Sequence, residues 1–279
     1  MTPILICTDL DRTLLPNGPQ PESPAARRLF RQIAARPEVR IAYVSGRDRG
    51  RVERAIADWD LPLPEVAATD VGTRIYSVGR DADWAPWPEW EREIDADWHG
   101  RTAAEIAEAM ADIPGLVLQS PEHQGPHKIS FTAPADCDVA AVTALAARRA
   151  AALGITAEIG WSVDETVPIG LLDVLPRSAT KRGAVAHLMR RLGFSPARTL
   201  FAGDSGNDLP VLAGPFLSVL VANATDEVRA EATRLAGAAG NRDSLYPARG
   251  GFLGMNGAYA AGILEGLAHF FPETLDWMA

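Results

Sequence analysis

Ile4-Leu5-Ile6-Cys7-Thr8-Asp9-Leu10-Asp11-Arg12-Thr13-Leu14-Leu15 is the stretch on which the reading of this chain turns. Its first half is a short apolar run, partly β-branched, of the kind that forms a strand buried on both faces. Its second half delivers two carboxylates at i and i+2, then a threonine, then a Pro-Asn-Gly turn at residues 16–18. In an open α/β sheet the carboxyl ends of the strands form the ligand-binding edge, so Asp9 and Asp11 are expected to emerge there. Two acids at that edge serve a metal, a proton transfer or an attack on phosphorus, or they are solvated strand-end aspartates with no chemistry. A lone D-x-D does not decide among these.

Strand and helix signals alternate from there onward. Ser23-Pro24 has the form of an N-cap with proline in the first turn, opening a helix with Leu29, Phe30 and Ile33 on one face. Residues 40–45 (RIAYVS) read as a second buried strand ending in Ser45-Gly46-Arg47, residues 52–58 as a helix, and residues 66–69 as a third strand running into Asp70-Val71-Gly72-Thr73. This rhythm predicts an α/β fold with a doubly wound, mostly parallel, Rossmann-like core sheet.

The texture changes near Gly79. Residues 81–98 are rich in Trp, Pro and acids, with Trp84, Trp87 and Trp90 three apart. A helix over 102–110, strands over 116–120 and 127–132, an alanine-rich helix over 138–153 and a strand over 156–161 follow. That order predicts an inserted α+β domain, whose own core the three tryptophans would fill rather than stack on sugar rings. The α/β rhythm resumes at Gly170-Leu171-Leu172-Asp173-Val174-Leu175-Pro176. Next come a helix over 180–192 with Lys181 in its first turn and a strand over 199–202 ending in Gly203-Asp204-Ser205-Gly206-Asn207-Asp208. A strand over 217–221, a helix opening near Asp226 and a last helix over 257–271 complete the chain. The expected domains are a core of residues 1–80 and 173–279 and an insert of residues 81–172.

At 279 residues and 47% hydrophobic the chain can bury a substantial core. Its 27 Lys+Arg against 36 Asp+Glu, a formal charge of -9, argue against nucleic acid as partner, though not against a small anionic ligand. Cys7 and Cys137 make no disulfide framework, the N-terminus lacks a charged region before its apolar run, and the longest apolar candidate, 258–271, is interrupted by Glu265 and His269. A soluble cytoplasmic protein, expected to be a monomer with no membrane partner, is the implied setting.

Four polar clusters thus fall where an α/β sheet would gather them: Asp9/Asp11, Ser45-Gly46-Arg47, Lys181, and Asp204 to Asp208. Together they suit a phosphate ester. A hydroxyl, backbone N–H groups and a lysine at a helix N-terminus can hold phosphoryl oxygens, and clustered aspartates suit Mg²⁺, a hard cation that takes oxygen ligands beside phosphates. Other readings are weaker. Gly203-Asp204-Ser205-Gly206 matches a serine-protease segment only superficially, without a β-barrel rhythm or partnered histidine. As a calcium loop the same run has Pro215 where a glutamate is needed. His123 and His127 have a zinc-like spacing that Gly125-Pro126 breaks. Lys128 alone is equally an edge-strand surface lysine.

The four clusters, D-L-D-R-T, S-G-R, Lys181 and G-D-S-G-N-D, stand in the order of the four motifs of the haloacid-dehalogenase superfamily, which this chain resembles. The room between Ser45 and Lys181 resembles the subgroup with an α+β cap between the second and third motifs. Within it the chain is most similar to the sucrose-6-phosphate phosphatase family, through segments 42–47, 71–76, 119–130, 173–181, 203–208, 221–224 and 262–270. The mannosylfructose-phosphate phosphatases are the close rival. The resemblance implies a Mg²⁺-dependent phosphatase releasing phosphate from a phosphorylated disaccharide, sucrose 6-phosphate first, through an aspartyl-phosphate. It implies Asp9 as nucleophile and Asp11 as general acid and base. Asp9, the Asp11 carbonyl and Asp204 would hold Mg²⁺, with Asp208 steadying its waters, and Ser45, Gly46, Lys181 and Asn207 would form the phosphate pocket. Gln119, Lys128 and Asp173 are the candidates for the sugar, residues 81–172 being the cap that sets specificity. The family also suggests the sucrose-phosphate synthase as a partner. A catalytically silent sugar-phosphate-binding module would retain the fold but could lose either Asp9 or Asp11, and a phosphomutase would need the intermediate sheltered from water, which the cap placement disfavours. Two departures from the family pattern are Arg12, where a smaller or polar residue is usual, and a longer segment from Asp164 to Gly170.

Overall fold

The computed structural model describes residues 2–164 and 169–278. They divide into two compact units, Met1–Pro86 with Lys181–Ala279, and Trp87–Thr180. The larger unit is built on an eight-stranded sheet. Its strands are β1 (Ile4–Thr8), β2 (Val39–Val44), β3 (Val66–Thr69), β4 (Arg74–Val78) and β5 (Trp84–Pro86), then, after the smaller unit, β10 (Thr199–Gly203), β11 (Leu217–Leu220) and β12 (Leu245–Pro247). The order is β12-β11-β10-β1-β2-β3-β4-β5. The run from β12 to β3 is parallel and β4 and β5 are antiparallel additions.

The apolar run that opens the chain explains the centre of this sheet. Ile4, Leu5, Ile6 and Cys7 are all fully buried, because successive side chains point to opposite faces and both faces are covered. Ile4 and Ile6 pack in the cluster with Leu29, Phe30 and Ile33 of α1 (Ala26–Ala34) and with Ile263, Leu264 and Leu267 of α9 (Ala260–Phe270). Each such side chain contributes about 1.5–3 kcal/mol on burial. Small residues set how closely α9 approaches: a Cβ on Gly266 would lie 2.1 Å from Val219 Cγ2, inside any tolerable contact. The remaining helices of this unit are α2 (Arg49–Asp58), α6 (Lys181–Arg191), the single turn α7 (Leu209–Leu212) and α8 (Asp226–Ala238). The Asp48 and Thr225 side chains cap α2 and α8. Cys7 and Cys137 are free thiols, and burial pushes the Cys7 thiol far above its ordinary range.

The smaller unit has a four-stranded antiparallel sheet in the order β6-β7-β9-β8, from β6 (Val117–Leu118), β7 (Ile129–Pro134), β8 (Ala157–Asp164) and β9 (Ile169–Pro176). With it go α3 (Pro88–Asp95), α4 (Ala103–Met110) and α5 (Val139–Ala152). Thr102 and Glu105 form a reciprocal capping box at α4, and Asp138 caps α5. Trp98, Ile106, Met110, Phe131, Ala146, Leu172 and Val174 share its core.

Several elements differ from the sequence expectation. The strand at 170–176 is an inner strand of the small sheet, between β7 and β8, and not the resumption of the parallel core. β5 pairs with β4, which carries residues 81–86 into the larger unit, while β9 carries 173–180 into the smaller one; the chain therefore crosses at 86/87 and 180/181. Trp84 consequently lies edge-on to Tyr76, 5.6 Å between ring centroids, in the large core, while Trp87 and Trp90 are buried in the smaller unit. Ser23 is not the cap of α1. That position is Ala25, and the Ser23 hydroxyl donates to Asn256 Oδ1 at 2.9 Å. Residues 165–168 of the long segment before Leu171 lie outside the described residues. Among the described residues no helix is long and apolar enough to cross a membrane.

Candidate active site

β10, β1 and β2 are neighbours running the same way, with β2, the next strand in the chain, on one side of β1 and β10, formed after the smaller unit, on the other. Their carboxyl ends make a switch point, the edge where an open α/β sheet gathers ligand-binding groups. Asp9 and Asp11 follow β1, Ser45 follows β2 and Asp204 follows β10, while a 3₁₀ turn at Gly206–Asp208 supplies Asn207 and Asp208. Lys181 is the first residue of α6.

Lys181 joins these pieces. Its Nζ lies 3.0 Å from Asp9 Oδ2 and 2.8 Å from Asp208 Oδ1, and it donates to Asn207 Oδ1 at 3.0 Å. Asp9, Asp204, Asp208 and Lys181 are all buried. Burial works against the lysine's charge, but Asp208 and Asp9 outweigh it and hold the ammonium above its ordinary pKa. Burial pushes Asp9 up to about 8, opposed by Lys181 and reinforced by the charges of Asp208 and Asp204. Burial, with Asp208 beside it, raises Asp204 to about 6. Asp208 is held as a structural acceptor: its Oδ2 takes the N–H groups of Asp204 at 3.0 Å and Ser205 at 3.2 Å. Gly203 is required beneath it, since a Cβ there would sit 2.5 Å from Asp208 Cγ.

Asp9 Oδ1 accepts from the Leu10 N–H at 2.8 Å, leaving Oδ2 toward Lys181. Thr13, fully buried, donates to Asp204 Oδ1 at 2.9 Å. The second oxygen, Asp204 Oδ2, is buried without a hydrogen-bond donor. Ligand atoms of Asp9, Asp204 and Asp208 lie within 4.8 Å of one another. A buried, under-donated carboxylate oxygen inside an all-oxygen cluster fits a hard divalent cation. It is the one such grouping among the described residues, so His123 and His127 form no metal cluster; His127 instead meets Asp95 at 3.0 Å.

Asp11 is held differently. Arg47 grips it with two bonds, Nε to Oδ2 at 2.7 Å and Nη2 to Oδ1 at 2.6 Å, and Asn17 Nδ2 donates to Oδ1 at 2.7 Å. Burial would raise its pKa, but the hydrogen bonds and charge of Arg47 outweigh that and hold the carboxyl below its ordinary value. Arg47, which the sequence alone leaves as substrate contact or ion-pair partner, is thus tied to Asp11. Ser45 is fully buried, and its Oγ accepts from the Arg47 N–H at 3.2 Å. Gly46 is exposed, with open space where a Cβ would lie.

Candidates in the smaller unit form a separate group. Asp173 of β9 stands opposite Ser130 of β7 and accepts from its hydroxyl. The Gln119 N–H donates to the Ser130 carbonyl at 2.9 Å, and Lys128 immediately precedes β7. Gln124 was not singled out by sequence, yet its side chain knits this loop, bonding the Ser130 N–H and the Gln119 and Ser130 carbonyls. Thr13, Asn17 and Asn223 were also missed around the main cluster. Asn223 Nδ2 donates to the Arg12 carbonyl at 2.6 Å, and Asn17 Oδ1 accepts from the Arg12 N–H at 2.8 Å. All three lie in stretches the sequence singles out, Thr13 in D-L-D-R-T, Asn17 in the turn at 16–18 and Asn223 in segment 221–224, but local pattern assigns none of them a role.

Several known proteins are similar to this chain over most of its length. A putative HAD-like hydrolase of Nitrosococcus oceani is 52% identical over 99% of this chain and 74% of its own length. Sucrose-phosphatase 1 of Nicotiana tabacum is 28% identical over 96% of this chain, which spans 59% of the tobacco protein. Mannosylfructose-phosphate phosphatase of Agrobacterium fabrum is 28% identical, with 95% of this chain and 96% of that protein covered. The structure of the Synechocystis sucrose-phosphatase in complex with sucrose and phosphate superposes with a TM-score of 0.73 at 24% identity, covering 97% of this chain and 98% of that one. Residues 2–271 match the profile described as sucrose-6F-phosphate phosphohydrolase. The chain therefore belongs to the sucrose-6F-phosphate phosphohydrolase family of haloacid-dehalogenase-superfamily phosphatases, and is a phosphoric monoester hydrolase.

Proposed function

We propose that this chain is a Mg²⁺-dependent phosphatase of a phosphorylated disaccharide, sucrose 6-phosphate first, working through an aspartyl-phosphate on Asp9. The observation that carries the reading is Lys181 bridging Asp9 and Asp208 beside the under-donated Asp204, a buried cation and carboxylate set at the sheet's switch edge. Asp9 attacks phosphorus through a carboxylate oxygen; the new O–P bond forms as the bond from phosphorus to the sugar oxygen breaks. Asp11 gives that oxygen its proton, then takes one from the water that hydrolyses the aspartyl-phosphate. Arg47 keeps Asp11 ionised, ready for the second role, so the first requires the carboxyl to turn off the guanidinium and take up a proton from solvent before it protonates the sugar oxygen. Lys181, Ser45 and Gly46 hold the phosphoryl oxygens, with Asn207 supporting Lys181. Asp9, the Asp11 carbonyl and Asp204 would hold Mg²⁺, with Asp208 behind them, and the ion supplies positive charge that lets an anionic nucleophile meet an anionic ester.

Residues 87–180 act as the cap in this reading, with Gln119, Lys128 and Asp173 recognising sugar hydroxyls. One observation favours a second substrate, mannosylfructose phosphate: the Agrobacterium enzyme matches along almost all of its length, whereas the tobacco sucrose-phosphatase matches over 59% of its own. A silent binding module is disfavoured because Asp9 and Asp11 are both present and both held in place. A cytoplasmic monomer fed by a sucrose-phosphate synthase completes the proposal, and co-purification from native lysate tests that partner. The deciding assay is phosphate release with Mg²⁺ from sucrose 6-phosphate, mannosylfructose phosphate, glucose 6-phosphate, fructose 6-phosphate and p-nitrophenyl phosphate, with Asp9→Asn alongside. Preference for sucrose 6-phosphate, lost in the variant, is the expected result. Preference for another sugar overturns the substrate, and no release from any overturns the enzyme.

A further inference from the structure

Arg12 is the residue of the metal-site loop that the proposed chemistry leaves without a task. Its backbone stands at φ 58°, in the left-handed region that a residue with a Cβ adopts at a cost. Amides pin it on both sides, Asn17 on its N–H and Asn223 on its carbonyl, and Asn223 is fixed in turn by the Tyr259 N–H, 2.9 Å from its Oδ1. The side chain therefore grows from a fixed root, and it reaches back to the carboxylates: Nε lies 3.5 Å from Asp204 Oδ2. Thr13 occupies the other oxygen. Oδ2 thus has a guanidinium as ion-pair neighbour and no hydrogen-bond donor.

We propose that Arg12 is a built-in cation that competes with the divalent metal for Asp204 Oδ2, so that metal enters by displacing a guanidinium. The inference rests on the Mg²⁺ reading of the same site. Three carboxylates within 4.8 Å repel one another, and two cations relieve that repulsion. Their mobility differs. Lys181 has 1% of its side chain exposed and is locked between Asp9 and Asp208, whereas Arg12 has 26% exposed and stands 3.5 Å from Asp204. A displaced Arg12 side chain regains water; a displaced Lys181 would leave two buried charges unpaired. Lys181 is the fixed counter-charge and Arg12 the exchangeable one. The expected consequences are a metal-free site that stays assembled and a metal affinity lower than the carboxylates alone would give.

The test is calorimetric titration of Mg²⁺ into the full chain for the wild type, Arg12→Asn, Arg12→Lys and Asp204→Asn, with melting temperatures in EDTA and in Mg²⁺. Asparagine is chosen because it tolerates a left-handed backbone. Arg12→Asn is expected to bind Mg²⁺ roughly tenfold more tightly, since a unit charge leaves the neighbourhood of the ion, and to melt lower than wild type in EDTA but not in Mg²⁺. Arg12→Lys is expected to return the affinity toward the wild-type value. Should Arg12→Asn distort the loop, Arg12→Gly relieves the same backbone and repeats the measurement. Unchanged or weaker Mg²⁺ binding in Arg12→Asn, with wild type binding and Asp204→Asn not, overturns the role of Arg12 and spares the metal reading. A wild type that binds no Mg²⁺, or binding that survives Asp204→Asn, overturns both.

Discussion

Replacing Lys181 by methionine removes a charge from between Asp9 and Asp208 and leaves the side-chain volume nearly intact. At 3.0 and 2.8 Å each contact is worth roughly 5–6 kcal/mol of Coulomb attraction at an effective dielectric near 20. Most of that already offsets the dehydration of the three groups. The variant keeps the dehydration and loses the pairing, a situation that costs about 3–5 kcal/mol, or roughly 6–20 °C in melting temperature for a chain of this size. The loss is pH-dependent. Asp9 has a folded-state pKa raised from 3.8 to about 8, so across that window the metal-free folded state holds a proton that the unfolded chain releases. Its stabilising effect is complete below the lower value and disappears as pH rises through the upper one. At acidic pH Asp9 is neutral and needs no counter-charge, so the gap between Lys181→Met and wild type is expected to shrink to about half its alkaline size. The assay is thermal and urea unfolding in EDTA at about pH 5 and about pH 8.5, bracketing the titration. A gap below about 1 kcal/mol at the higher pH, or one that widens on acidification, would refute the pairing argument.

Arg47→Ala is expected to lower the turnover of a sugar phosphate by about tenfold or more, because Asp11 loses the two bonds that aim it. Hydrolysis of p-nitrophenyl phosphate passes through the same aspartyl-phosphate, whose breakdown needs the ionised Asp11, and should fall as well; a loss confined to the sugar phosphate would show that Arg47 acts elsewhere. Gly203→Ala is expected to cost about 1–3 kcal/mol by overpacking, since the added methyl must push Asp208 off a 2.5 Å approach. Gly46→Ala, with nothing within 4 Å of the new carbon, is expected to unfold within about 0.5 kcal/mol of wild type. Denaturant midpoints that fail to separate these two variants would contradict the packing described.

The parallel core was legible because its strands are apolar runs that end in polar clusters, and Ile4–Thr8 with Asp9 behind it is the plainest case. The strand at 170–176 misled because a strand inside an antiparallel sheet that is covered on one face is nearly as apolar as a parallel one; Leu172 and Val174 are fully buried under helices of the smaller unit. Trp84, Trp87 and Trp90 have helical spacing, yet Trp84 lies in β5, Trp87 precedes α3 and Trp90 lies within it. The carboxylates and Lys181 could be found from local pattern, since each ends or opens an element. Their supports could not. Thr13 meets Asp204 across 191 residues and Asn223 meets Arg12 across 211, and no local period marks a lone polar side chain whose partner is that far along the chain.

The same sequence distances bear on how the protein reaches its native state. β1 zips onto β10 with Leu5 opposite Thr199 and Thr8 opposite Ala202, so the central seam of the sheet joins the first strand to one that follows the whole of the smaller unit. Closing so large a loop costs entropy before any pairing returns it, and contacts of this range form slowly. Residues 87–180, by contrast, are one uninterrupted segment with neighbouring strands and a core of their own. Order is therefore expected to spread outward from such continuous segments, with the β1–β10 seam among the last pairings to form. Asp9 and Asp204 both lie just beyond the carboxyl end of that seam, so the chemistry becomes available only when folding is essentially complete. A partly folded chain would then carry no reactive carboxylate pocket.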